Sequence, residues 1–196
     1  IMPEKQSTET VPTHFRSRLL YENFDIKNFT VEALEEMVRR RCGGTLRDVY
    51  GYHFSPECST YTTADKGRNG FRKDDGSAAH KRSELSDGNV RKVMSVLRTL
   101  SRKYPDRLFT CENPATGSWH LQPIVKQLQD EGWQLTEVHY CAAANPLLDY
   151  EHEWPKKPTH ILSYGLPDGI ELPQCNRSCP FRFGDRRRHR EIGIPS

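Results

Sequence analysis

The fold follows from residues 49–62, Val-Tyr-Gly-Tyr-His-Phe-Ser-Pro-Glu-Cys-Ser-Thr-Tyr-Thr, where an apolar run gives way to polar residues at Ser55. This change is typical of a strand that delivers a reactive loop. A second apolar run, residues 108–111, is followed in the same way by Glu-Asn-Pro-Ala-Thr-Gly-Ser-Trp at residues 112–119. Because ligands bind at the carboxyl ends of parallel strands in open α/β sheets, we expect the two polar stretches to lie side by side there.

Three amphipathic segments predict helices before and between these strands. Thr30 is a capping residue for a helix that ends at Gly43-Gly44. Apolar residues at spacings of three and four predict a second helix, capped by Asp87, whose inward face is Val90, Val93, Met94, Leu97 and Leu100. A third helix is expected to begin near Ser118, ahead of a strand from Leu135 to Tyr140. The alternation predicts the α/β class, with a Rossmann-like, doubly wound sheet, helices on both faces and a loop-rich C-terminal tail.

The length of 196 residues suits one α/β domain. We expect a disordered leader over residues 1–14 and the α/β domain over residues 15–165. A Cys/His/Arg-rich tail, residues 166–196, is expected to pack on the same domain. Residues 66–86 are rich in Gly, Asp, Lys and Arg and have no apolar period, which predicts a long exposed segment.

The composition argues against a membrane protein and leaves nucleic acid as a candidate partner. No apolar run approaches the roughly 20 residues that a membrane helix needs, and the first residues are not signal-like. With a mean hydropathy of −0.80, this predicts a soluble intracellular protein, nuclear or cytoplasmic. The net charge of +3 includes two basic clusters, residues 39–41 and 182–190, which favour nucleic-acid binding. Arginines that complement a helix dipole or solvate a tail explain the clusters as well.

The six cysteines of the chain are expected to be thiols or metal ligands rather than a disulfide framework. Cys42 and Cys111 have apolar neighbours, so we expect both in the core. Cys175, Cys179 and His189 are candidate ligands of a structural zinc ion, which would order a tail that has little apolar content. Scattered residues in a disordered basic tail are the alternative.

Two motifs resemble a known family of enzymes. Ser-Pro-x-Cys at residues 55–58 and Glu-Asn-Pro-x-x-Gly at residues 112–117 are similar to the catalytic motifs of DNA cytosine-5 methyltransferases of the short phage and mobile-element type. Tyr140-Cys141 and Lys157-Pro158-Thr159 match further motifs in the order of that family. The resemblance covers about residues 45–190, and it implies a Rossmann-like sheet that binds DNA and S-adenosylmethionine.

The resemblance also implies residue roles. Cys58 would be the nucleophile that adds to a cytosine ring, and Glu112 the acid that hydrogen-bonds the base, which has to leave the duplex. The other residues of the two motifs would shape the base site: Ser55, Pro56, Asn113 and Pro114. Basic residues of the segment that follows the first motif would hold phosphates: Arg68, Arg72, His80 and Arg82.

The chain departs from the family in two places. Glu57 replaces the usual proline before the cysteine and adds a negative charge that opposes thiolate formation. Nothing before Val49 resembles the Gly-rich turn that binds the methyl donor, and Asp25 alone is a candidate contact for that donor. The resemblance therefore predicts a donor site completed by a missing N-terminal segment or by a second chain.

Three other functions stay open on the sequence. A non-catalytic nucleic-acid-binding module derived from a methyltransferase would use the basic residues without the thiol. A methyltransferase of exocyclic amines of adenine or cytosine would use Ser55 and Pro56 to grip the target amine, and Cys58 would be incidental. A protein-interaction or structural domain would need neither set of residues.

Overall fold

The computed structural model describes residues 25–61, 70–139, 158–167 and 170–174. The chain divides into two compact units, Ile1–Asp48 and Val49–Ser196. This boundary falls within residues 15–165, and the single domain expected there stays a prediction. Among the described residues, no helix is long and apolar enough to cross a membrane.

The first unit contains helix α1, Val31–Cys42, between two short 3-10 turns, Ile26–Asn28 and Leu46–Asp48. The predicted cap is confirmed, because the Thr30 hydroxyl accepts a hydrogen bond from the Ala33 amide at 3.1 Å. The helix ends where Gly43 adopts a left-handed conformation with φ of 67°. The expectation that Cys42 lies in the core was wrong, because the residue is exposed at the last helical position.

The second unit contains a four-stranded sheet. Its strands are β1, Gly51–Phe54; β2, Leu108–Pro114; β3, Gln134–His139; and β4, Pro158–Tyr164. The strand order is β1-β2-β4-β3, in which β1 and β2 are parallel and β4 is antiparallel to both of its neighbours. The α/β class is confirmed, and the sheet is mixed because one reversed strand lies between β2 and β3.

Two helices connect these strands. Helix α2, Lys81–Lys103, links β1 to β2, and α3, Pro123–Asp130, links β2 to β3 after a 3-10 turn at Trp119–Leu121. The predicted apolar face of α2 is buried, with each of its five members at most 3% exposed. The predicted cap was wrong, because α2 begins six residues before Asp87 with His80 as its N-cap. Residues 81–86, expected in an exposed segment, are therefore the first turns of a helix.

The core on one face of the sheet is aromatic. Tyr52 of β1 stacks on Phe109 of β2 with ring centroids 5.0 Å apart, and Phe109 also contacts Trp133 and Tyr164. Cys111 follows on the same face and is fully buried, as predicted. Because these large side chains anchor β1 against β2, the polar residues that follow the two strands start from a rigid base.

Candidate active site

The two sequence motifs meet at the carboxyl end of the parallel pair β1 and β2. Phe54 is in register with Cys111, so Ser55 and Glu112 follow at the same edge of the sheet. The Ser55 hydroxyl donates a hydrogen bond to Glu112 Oε1 at 2.8 Å. The predicted juxtaposition of the two stretches is therefore confirmed, whereas the chemical roles of their residues remain predictions.

Glu112 and Asn113 belong to strand β2 itself rather than to a loop, since β2 continues to Pro114. Successive side chains of a strand point to opposite faces, and along β2 buried and half-buried residues alternate. Glu112 is half-buried and bonds Ser55, whereas Asn113 is fully buried. The Asn113 amide donates to the Pro56 carbonyl at 3.4 Å, so each motif residue of β2 holds a different residue of the first motif.

Cys58 lies half-buried in a turn at the end of the first motif, where its carbonyl accepts from the Tyr61 amide at 2.9 Å. Glu57, the residue that departs from the family pattern, points to two partners. Its carboxylate accepts from the Ser59 hydroxyl at 2.5 Å and lies 3.5 Å from the Arg82 guanidinium. Arg82 also donates to the Ser59 hydroxyl at 3.3 Å, so its positive charge lies close to the extra negative one.

Arg72 is buried beneath the first motif, and the side chain is only 2% exposed. Its guanidinium donates to the Thr60 carbonyl at 2.9 Å, to the Gly76 carbonyl at 3.0 Å and to Asp87 Oδ1 at 2.6 Å. It also lies over the Tyr61 ring, 3.8 Å from the centroid. These contacts occupy the side chain inside the protein, away from any phosphate at the surface.

Tyr61 and Asp87 complete the network around Arg72. The Tyr61 hydroxyl donates to Asp87 Oδ1 at 2.7 Å. Burial raises the pKa of the Tyr61 hydroxyl far above its usual value, and the bond to Asp87 raises it further. Sequence reasoning missed both residues, because a tyrosine after a motif and an aspartate within a helix carry no local signal of a buried ion pair.

The second motif is tied to the same network. The Ser118 amide donates to the Tyr61 carbonyl at 2.9 Å, and the Gln122 side chain donates to the Gly76 carbonyl at 3.0 Å. Gly76 has φ of 82°, and a Cβ at this position would lie 3.1 Å from Leu121 Cβ. The chain around Gly76 therefore packs directly against the residues that follow the second motif.

The other residues predicted for substrate binding lie at the start of α2. The His80 ring caps the helix by accepting from the Arg82 amide at 3.3 Å, and it makes an edge contact with Phe71. The Arg82 side chain is 58% exposed. Arg68 lies outside the described residues.

The candidate contact for the methyl donor has a local structural role. Asp25 belongs to the first unit, where its carboxylate accepts from the Lys27 amide at 3.0 Å and caps the turn Ile26–Asn28. That role occupies one carboxylate oxygen, and the assignment of Asp25 to the methyl donor stays a prediction. Within the described ranges, no group of three or more His, Cys, Asp or Glu side chains is arranged to hold a metal ion. The predicted zinc ligands Cys175, Cys179 and His189 lie outside those ranges, and zinc stays a prediction.

Comparison with known proteins adds one distant similarity. No protein-family model matches the chain, and no curated protein matches its sequence. Among solved structures, the methyltransferase EhMeth of Entamoeba histolytica is similar, with 11% sequence identity and a TM-score of 0.41. The similarity covers 80% of this chain and 42% of the EhMeth chain, so this chain spans less than half the length of that structure. At this level, EhMeth establishes neither a family nor an activity for the chain.

Proposed function

We propose that this chain is the base-binding, nucleophilic half of a DNA cytosine-5 methyltransferase. The observation that carries the proposal is the 2.8 Å hydrogen bond from Ser55 to Glu112, which joins the two motifs at the carboxyl edge of the parallel strands. This edge is where open α/β sheets bind ligands. Nucleophilic addition to a pyrimidine ring requires a thiol and a carboxyl group, and here Cys58 and Glu112 belong to the two motifs that meet at this edge.

The order of the motifs supports the same proposal. The first motif follows β1, and the second begins with the last residues of β2. This is the order in which the two motifs occur in the family that they resemble.

The proposed chemistry begins at Cys58. Its thiolate sulfur forms a bond to C6 of cytosine, and the electron pair of the C5–C6 double bond makes C5 nucleophilic. Glu112, held by Ser55, stabilises this addition by hydrogen bonding the ring nitrogen and the exocyclic amine. S-adenosylmethionine supplies the methyl group in the complete reaction. Because nothing before Val49 resembles the Gly-rich turn of the family, a further segment or a second chain would complete the site for that donor.

DNA is the proposed partner because exposed cations flank the first motif. Lys81 and Arg82 lie exposed at the start of α2, and Arg82 lies beside Ser59, one residue from Cys58. Phosphates are attracted to such cations and to the N-terminal end of a helix. Among the described residues predicted for this role, Arg82 is an exposed arginine and the better candidate for a phosphate ligand, whereas Arg72 is buried.

An exchange experiment tests the nucleophilic half without the methyl donor. When a thiolate adds to C6, C5 takes a proton from water, and elimination of the thiol then removes the original C5 hydrogen. DNA that carries tritium at cytosine C5 should therefore release tritium into water in the presence of the chain. We expect release with the wild-type protein and background release with Cys58→Ser and Glu112→Gln, with Cys42→Ser as the matched control.

The outcomes separate the proposed function from its alternatives. A binding module binds the DNA with a steep salt dependence but releases no tritium. An exocyclic-amine methyltransferase also releases none, and its DNA binding is sensitive to Ser55→Ala. Absence of both binding and release would contradict the proposed function and favour a structural domain.

A further inference from the structure

We infer that Arg72 is a positioning residue for the two reactive motifs, not a phosphate ligand. This inference rests on the proposed function in that it treats Cys58 and Glu112 as the reacting groups. Arg72 follows Cys58 by 14 positions, in a basic stretch whose composition favours phosphate binding. The structure instead encloses its guanidinium between Thr60 and Tyr61, which follow the first motif, the chain around Gly76 and helix α2.

The guanidinium satisfies acceptors from all three segments. It bonds the carbonyl and, at 3.2 Å, the hydroxyl of Thr60, the Gly76 carbonyl, and the Asp87 carboxylate. Its Nη2 atom also lies 3.5 Å from the Ser83 carbonyl. Only arginine offers five N–H donors in one rigid plane, so a lysine cannot satisfy this set of acceptors from a single ammonium group.

The connection from Arg72 to the reactive groups is short. Tyr61 stacks under the guanidinium, donates its amide to the Cys58 carbonyl, and accepts from the Ser118 amide at its own carbonyl. A displacement of Tyr61 therefore moves the turn that carries Cys58 and the chain that follows the second motif. Gly76 provides a second route, because its carbonyl bonds both Arg72 and Gln122.

The buried charge of Arg72 explains why a substitution at this position should disturb the surrounding structure. The side chains of Arg72 and Asp87 are 2% and 11% exposed, so neither charge is well solvated without the other. Asp87 also accepts from the Tyr61 hydroxyl, which places all three groups in one network. Such networks hold a unique geometry when every member is satisfied.

The inference is tested by site-resolved alkylation, which requires no catalysis. The native Arg72→Lys and Asp87→Asn variants would be treated with iodoacetamide. Mass spectrometry would then measure the rate at which each cysteine is modified. The matched control is Arg91→Gln, which changes an exposed arginine on α2. We expect alkylation of Cys58 to become faster by about tenfold, since the turn opens locally. Modification of the exposed Cys42 and the buried Cys111 is expected to stay at the control rates.

Two results would overturn the inference. One is a Cys58 rate in Arg72→Lys equal to that of the Arg91→Gln control. The other is an equal acceleration at Cys111, which would indicate loss of the whole core rather than release of the motif. Arg72→Gln removes the positive charge as well as the guanidinium. If this variant fails to fold, Arg72→Lys still tests the inference, because it keeps the charge.

DNA binding and tritium exchange separate this inference from the proposed function. A positioning role predicts that Arg72→Lys leaves the salt dependence of DNA binding unchanged, whereas Arg82→Gln lowers its slope by about one. If the wild-type chain exchanges tritium, Arg72→Lys should lower kcat by on the order of 100-fold with an unchanged KM, as a misplacement of about 1 Å does. No exchange by the wild type would refute the proposed function and leave the alkylation result standing.

Discussion

At the scale of single residues, Glu57 is the main departure from the motif that the chain resembles. Glu57 directly precedes the candidate nucleophile Cys58 in the chain, and its carboxylate has Ser59 and Arg82 as partners at 2.5 and 3.5 Å. An exposed ion pair of this kind contributes little to stability, since solvent screens it. We therefore expect a substitution of Glu57 to change the reactivity of the Cys58 thiol more clearly than it changes the free energy of unfolding.

Replacing Glu57 with glutamine should make Cys58 more reactive. Loss of the negative charge, and release of Arg82, both favour the thiolate form. Because exposed charge pairs are worth about 0.2–1 kcal/mol, the alkylation rate at pH 7 should rise by about 1.5- to 5-fold. Site-resolved iodoacetamide labelling measures this rate, with Glu36→Gln, an exposed residue of α1, as the control. An equal or slower rate in Glu57→Gln would show that the carboxylate does not act on the thiol.

The two cysteines with apolar neighbours show how far composition predicts a single residue. The apolar neighbours of Cys111 correctly predict its burial, since it lies on β2, where buried and half-buried residues alternate. Cys42 continues the spacing of the buried residues Leu34 and Val38, but it is the last residue of α1, where the chain turns at Gly43. Periodicity predicts which face of a helix is buried. A residue of that face can still be exposed when it lies at the end of the helix.

At the scale of elements, the end of β4 depends on a glycine. Gly165 has φ of 71°, and a Cβ there would lie 2.2 Å from the carbonyl oxygen of Arg107. Arg107 directly precedes β2, so the contact lies between the neighbouring strands β2 and β4. Only glycine fits this approach, because the clash is with backbone that cannot rotate away.

Gly165→Ala should therefore lower the free energy of unfolding by about 2–5 kcal/mol, from left-handed strain together with the steric clash. Gly132→Ala is the matched control, since Gly132 has φ of 94° with nothing within 4 Å of a Cβ. It should cost only the backbone strain, about 1–2 kcal/mol. Urea denaturation followed by tryptophan fluorescence measures both. Equal costs for the two variants would mean that the approach of Arg107 relaxes freely.

Helix α2 shows the limit of local signals at the scale of elements. Asp87 precedes the apolar run and is a good capping residue by type, so the sequence predicts a start there. The structure instead begins the helix at Lys81 and uses the Asp87 carboxylate to bind Arg72 and Tyr61. A residue that suits a cap also suits a buried ion pair, and only the tertiary contacts distinguish the two.

At the scale of the whole molecule, the pH dependence of stability should reflect a histidine contact in the sheet. His160 of β4 meets the ring of His120 edge-on at 5.0 Å, and its Nε2 atom lies 4.0 Å from Glu137 of β3. Glu137 is also 3.1 Å from His139. Burial lowers the pKa of His160, His120 lowers it further, and Glu137 acts in the opposite direction.

The free energy of unfolding of the second unit should therefore fall as the pH falls below about 6.5, because the unfolded chain takes up the proton first. The fall should stop once the pH is below the pKa of His160 in the folded state. Tryptophan fluorescence reports this unit, since all three tryptophans follow residue 48. His160→Gln should flatten the dependence relative to the wild-type protein. The same slope in the wild type and in His160→Gln would exclude His160 as its source.

The order of the strands is also a property of the whole molecule. The apolar runs predict β1, β2 and β3, and β4 begins at Pro158, a residue of the Lys-Pro-Thr match. Nothing in these runs indicates that β4 reverses and inserts between β2 and β3. The direction of a strand depends on the connection before it and on the edge that is free to pair, which are not local properties.

The sequence by itself determined the α/β class, the cap and end of α1, the buried face of α2 and the approach of the two motifs. These follow from periodicity, from capping and turn chemistry, and from the meeting of parallel strands at one sheet edge, all of which are local rules. Only the tertiary structure decided the place of β4, the partners of Glu57 and the burial of Arg72. An arginine in the sequence can belong either to a phosphate site or to a buried network. Its burial depends on carbonyl and carboxylate acceptors that lie far apart in the sequence and meet only in the folded chain.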